Sequence, residues 1–122
     1  MTEEQIALAR RAVACKGWRW MPGMLHGTVA GGELRVCYRM GDLTLYLDAD
    51  RVPDLTDPAT LGCLLALVRE AHEDECACVF PIDYGPGGVR WVARLTAGGR
   101  DMTQQVHVSE AEALVAALEA TP

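Results

Sequence analysis

The alternation of apolar and polar positions divides the chain into short segments of two periods. Over residues 3 to 15, Ile6, Ala9, Ala12 and Val13 fall on one helical face, with the Thr2–Gln5 capping pattern ahead of them and Gly17 beyond. A loop over residues 17 to 24 has no clean period, and its Pro22-Gly23 pair signals a turn. Leu25 to Ala30 reads as a short strand ending at Gly31-Gly32. From Glu33, Leu34, Val36, Tyr38 and Met40 alternate against Arg35, Cys37 and Arg39, which predicts that the first set faces the core. After Gly41-Asp42, Leu43, Leu45 and Leu47 alternate against Thr44, Tyr46 and Asp48. The spacing predicts an antiparallel meander that Pro53 and its neighbouring aspartates end.

A second half repeats these periods. Asp57 suits a helix cap and Pro58 the first helical position, so a helix is expected to about Glu73 with Leu61, Leu64, Leu65 and Val68 as its stripe. Cys63, Ala66 and Leu67 leave it little polar surface, so more than one of its sides needs cover, from the terminal helices or from a second copy. Cys76 to Ile82 reads as a strand with Cys76, Cys78, Phe80 and Ile82 on one face. Beyond the turn at Gly85-Pro86-Gly87-Gly88, Val89, Trp91, Ala93 and Leu95 alternate against Arg90, Val92, Arg94 and Thr96. Gly98-Gly99 leads to a further strand over Thr103 to Val108, and Ser109 with Glu112 opens a closing helix striped by Ala111, Leu114, Val115 and Leu118. The order is α-β-β-β-α-β-β-β-α. This predicts a single α+β domain over residues 1–122: a mainly antiparallel sheet of five or six strands, a central buried helix, and helices at both termini.

Composition narrows the function classes. The 122 residues are 50% hydrophobic and 23% charged, enough apolar material for a packed core. The formal charge of −6 argues against direct binding to nucleic acid or an anionic membrane. Ala and Arg are abundant, while Lys and Ser occur once each, a skew that fits GC-rich coding. The N-terminus shows no basic start followed by an apolar run, and the longest apolar stretch, Leu61 to Val68, falls well short of a membrane span, so a cytoplasmic protein is expected. Five scattered cysteines are then expected to be reduced and buried.

Chemistry-bearing constellations are sparse. His72, Cys76 and Cys78 lie close in sequence, but a structural zinc needs a fourth ligand and a different Cys spacing, so no metal is expected. The aspartates Asp48, Asp50, Asp54 and Asp57 miss the Gly and Glu of a calcium loop, since those positions hold Pro53 and Ala59. The one serine, Ser109, has a capping role, and no cysteine sits where its thiol would be activated. No cofactor is expected, nor an enzyme. Two features suit a partner instead. Arg35, Arg39, Arg90 and Arg94, with Tyr46, would share one outer sheet face if their strands formed one sheet, a surface fit for acidic groups. Trp18, Trp20, Met21 and Met24 crowd one loop, either as a partner-binding anchor or as a plug for the core.

The run Leu55 to Ala71 (LTDPATLGCLLALVREA) resembles a segment of small uncharacterised proteins encoded by phages and prophages of GC-rich bacteria, and Trp18 to Leu25 resembles a stretch that accompanies it. The resemblance implies a phage origin and carries no catalytic or binding residue. The expected function is that of a phage accessory protein that binds a host protein or protein complex without catalysis, such as an anti-defence inhibitor of the anti-CRISPR kind. The alternatives are a self-associating phage structural or scaffold protein, acting as a homodimer, and a small Cys-dependent or metal enzyme.

Overall fold

Each helix begins at a side-chain cap that the sequence carries. The computed structural model of the chain describes residues 1–30, 34–37, 50–95 and 105–121. Helix α1 (Glu3–Ala14) starts at Thr2, whose side chain accepts from the Gln5 N–H while the Gln5 side chain accepts from the Thr2 N–H, a complete capping box. Its Ala9 and Ala12 are buried, and Ile6 and Val13 are half-buried. Helix α2 (Pro58–Ala71) starts at Asp57, whose Oδ2 accepts from Thr60 N at 2.9 Å and Thr60 Oγ1 at 2.8 Å. Helix α3 (Glu110–Glu119) starts at Ser109, whose side chain accepts from Glu112 N, and it buries Ala111, Leu114, Val115 and Leu118 as the stripe predicts.

The C-terminus of α2 closes in a Schellman arrangement. Glu73 N donates to Glu70 O and Asp74 N to Arg69 O, with Glu73 in the left-handed region at φ 51°. Glycine usually fills that position, because a Cβ there meets the neighbouring carbonyl. The buried Asp74 carboxylate accepts from Cys76 N, and Arg69 Nε donates to Ala77 O at 2.8 Å, which fixes the turn out of the helix.

Strands β1 (Leu25–Thr28), β2 (Arg35–Val36) and β3 (Arg51–Pro53) form an antiparallel sheet in the order β2-β1-β3. Strands β4 (Cys78–Asp83) and β5 (Val89–Arg94) form a separate antiparallel pair across a 3-10 turn at Gly85–Gly87. The architecture is therefore α+β, but the described residues make two small sheets of three and two strands where one sheet of five or six was expected. Local alternation identifies strands without identifying partners, and the α2 helix intervenes between the two sets. By internal contacts the chain divides into two compact units, Met1–Cys63 and Leu64–Pro122, a division that falls inside α2.

Three further expectations change. Among the described residues the third strand of this sheet is Arg51–Pro53, where the meander was expected to end; the expected strand Leu43 to Leu47 lies outside the described residues, as do the expected strand positions Tyr38 and Met40. Pro53 is compatible with a strand there because β3 lies at the edge of the sheet among the described residues, where a missing N–H is tolerated. The phase of β2 is also reversed: Leu34 and Val36 are exposed at 49% and 40%, whereas Cys37 retains 1%. Cys37 is opposite the Gly23–Met24 pair: Cys37 N donates to Met24 O at 2.8 Å, and Cys37 O accepts from Gly23 N at 2.7 Å. Finally, the Thr103 to Val108 strand is reduced, among the described residues, to a bridge between His107 and Trp91.

In the β4–β5 pair, Phe80 is opposite Val92 and Ile82 opposite Arg90. Directly opposed residues project to the same side, so the Phe80 and Ile82 face is that of Arg90, Val92 and Arg94. Val92 and Ala93 are both buried, at 0% and 2%, so β5 buries residues of both faces and its alternation is not one of inside against outside. No helix among the described residues is long and apolar enough to cross a membrane.

Candidate functional site

The register of the three-stranded sheet assembles a cationic and aromatic face. His26 on β1 is opposite Arg35 on β2 and Pro53 on β3, and Thr28 is opposite Arg51. Opposed residues share a side, and residues two apart on a strand share it too, so His26, Thr28, Arg35 and Arg51 all project from one face. The face is buried at one end, where Met24, Cys37, His26 and Pro53 are closed off. It opens toward half-buried Thr28 and Arg51 and exposed Arg35.

The Trp loop covers the buried end. Trp20 lies edge-on to His26 with ring centroids 5.5 Å apart, and Trp18 lies edge-on to Trp20 at 5.4 Å. Such edge-to-face pairs contribute about 0.5–1.5 kcal/mol each beyond area burial. The loop is held by a turn in which Met24 N donates to Met21 O, with Pro22 second and Gly23 third at φ 94°. That combination is a type II turn, and its third position favours glycine. Of the loop residues singled out from sequence, Trp20 and Met24 are buried in the core, while Trp18 and Met21 are half-buried.

Two polar atoms in this cluster, Trp18 Nε1 and His26 Nδ1, are buried without a hydrogen-bond partner among the described residues. His26 retains 4% exposure. Burial, followed by the positive charges of Arg51 and Arg35, lowers its pKa below the ordinary value of 6.5 and favours the neutral ring. The β1 backbone is fixed at the same time: Leu25 N donates to the buried Thr60 Oγ1 at 2.8 Å, and Asp54 N donates to Leu25 O.

The expected arginine surface is thus distributed differently. Among the described residues, Arg35 lies on the three-stranded sheet, whereas Arg90 and Arg94 lie on the β4–β5 pair, so these strands share no sheet there. Arg39 and Tyr46 lie outside the described residues. The structure instead unites Arg35 with Trp18 and Trp20 through His26. His26, Thr28 and Arg51 do not stand out in the sequence: β1 alternates too briefly to place them, and Arg51 falls beyond the clear alternation, next to the Pro53 expected to end the meander.

The other constellations are engaged elsewhere. His72 Nε2 is 2.7 Å from Ala117 O, and Cys76 is exposed. No three His, Cys, Asp or Glu side chains among the described residues stand together as a metal site. Burial, then the Asp57 charge, raises the Cys63 thiol pKa, opposite to what nucleophilic activation needs. No protein-family profile, curated protein or solved structure matches this chain.

Proposed function

We propose that the chain is a phage or prophage accessory protein that binds a host protein without catalysis, in the manner of an anti-defence inhibitor of the anti-CRISPR kind. The reading is supported by one observation above all: Arg35, Arg51, Trp18 and Trp20 gather around a buried histidine on one sheet face. Aromatic and arginine side chains are the types that dominate protein–protein binding energy. In a chain of net charge −6, a local cationic face selects acidic groups on its partner and orients the encounter. The host location is cytoplasmic, and no cofactor takes part.

Capture from host lysate tests this reading. Wild type retains a specific host protein, and Arg35→Glu and Trp18→Ala lose it while melting at temperatures close to that of wild type. Retention of the same partner by both variants rejects the face. A second reading, self-association as a phage structural protein, draws on Val106 and Val108, exposed at 44% and 70% on either side of His107. A solution mass of one chain at tens of micromolar removes it.

A further inference from the structure

We propose that the open part of the three-stranded sheet's polar face, formed by Arg35, Arg51 and Thr28 beside buried His26, is a binding site for a dianionic phosphate group. Strand register carries the argument. Arg35 flanks β1 on one side and Arg51 on the other, with Thr28 and His26 between them on the central strand. Two guanidiniums, one hydroxyl and one imidazole N–H make a donor set for a group with several acceptor oxygens and more than one negative charge. A carboxylate offers two oxygens and one charge; a phosphate monoester offers three terminal oxygens and nearly two charges. A guanidinium has five N–H donors, so an arginine already engaged by a protein group retains donors for a ligand.

The second, independent observation is His26 itself. Its ring is almost wholly buried, and its Nδ1 has no partner among the described residues. A buried polar atom left in that state carries an uncompensated desolvation penalty, which a ligand oxygen or a bridging water recovers. Burial and the two arginines favour a neutral ring, and a neutral imidazole protonated on Nδ1 donates to a phosphate oxygen without an added charge. The Trp20 edge holds the ring in place. Contact with Nδ1 requires the ring to be uncovered, whereas the strand register already sets Arg35, Arg51 and Thr28 on the same face.

The proposal rests on the reading of this face as the binding face, and the two fail separately. The test titrates the full chain with inorganic phosphate and then with a phosphoserine peptide, against chloride at matched ionic strength, following the His26 ring protons by NMR. His72→Gln and His107→Gln assign the His26 signals. Inorganic phosphate is expected to move them saturably, and Arg51→Gln or Arg35→Gln to weaken binding about tenfold or more, the loss of a charge-assisted hydrogen bond. Tighter binding of the peptide than of phosphate identifies a phosphoprotein as the source; equal binding identifies the free phosphate group as sufficient. No saturable shift with either probe, or equal shifts in wild type and both arginine variants, overturns the site. If neither probe binds while Arg35→Glu still abolishes partner capture, the phosphate is wrong and the binding face stands. If phosphate binds while capture is untouched by Arg35→Glu, the converse holds.

Discussion

Replacing Thr60 by Val keeps the volume of a side chain with no exposed surface and removes only its hydroxyl. That hydroxyl accepts from Leu25 N at 2.8 Å and donates to Asp57 Oδ2 at 2.8 Å, tying the first turn of α2 to the start of β1. In the Val variant the Asp57 carboxylate retains the Thr60 position's N–H, so the α2 cap survives. The Leu25 N–H, in contrast, loses its acceptor, at a half-buried position beside a side chain with no exposed surface. Leaving such a donor unpaired costs about 1–3 kcal/mol, and Val and Thr differ little in helix propensity. At about 4 °C per kcal/mol for a chain of this size, the melting temperature falls by about 4–12 °C. Thermal unfolding followed by circular dichroism reads this loss, and hydrogen exchange at the Leu25 amide reads its origin, since that amide is expected to lose protection first. A Val variant within about 0.5 kcal/mol of wild type, with the Leu25 amide equally protected, refutes the link between α2 and β1.

Other perturbations address the remaining claims. Because the folded pKa of His26 lies below its unfolded value near 6.5, the unfolded chain binds the extra proton; stability is full above that pH and declines as pH falls toward the folded pKa. The slope from this one group reaches at most about 1.4 kcal/mol per pH unit, and urea unfolding of wild type against His26→Gln at several pH values measures it; identical profiles contradict a buried neutral ring. Glu73→Gly relieves the left-handed residue that ends α2 and is expected to stabilise by about 0.5–1 kcal/mol, read as a raised melting temperature, whereas destabilisation contradicts the strained turn. Cys63 is expected to react with a thiol reagent at neutral pH more slowly than exposed Cys76, quantified by mass spectrometry; fast reaction at Cys63 restores the cysteine-enzyme alternative.

What the sequence makes legible here is what is local. The Thr2, Asp57 and Ser109 caps place three helix starts correctly because cap and helix are separated by one turn. The α3 stripe is likewise read from neighbours alone. Strand phase is not local when both parities hold apolar residues: Cys37 faces inward because it is opposite the Gly23–Met24 pair, and nothing within Leu34 to Val36 states that pairing. The partition into two sheets is less local still. The same limit governs the candidate site. Trp18, Trp20 and Arg35 stand out by residue type, but their union depends on His26 being opposite Arg35 and edge-on to Trp20. Arg51 joins them through a three-residue strand ending in Pro53, too short and too unlike a strand in composition to be recognised.

The most direct test of the binding face is site-specific photocrosslinking in host cells. Thr28, half-buried at the open end of the face, is replaced by benzoylphenylalanine, and Val36, exposed on the opposite side of β2, serves as the control position. The account predicts one host-protein adduct from position 28, absent from position 36 and abolished by Arg51→Glu in a variant that still folds. The same adduct from both positions, or an adduct at position 28 that survives Arg51→Glu, contradicts it.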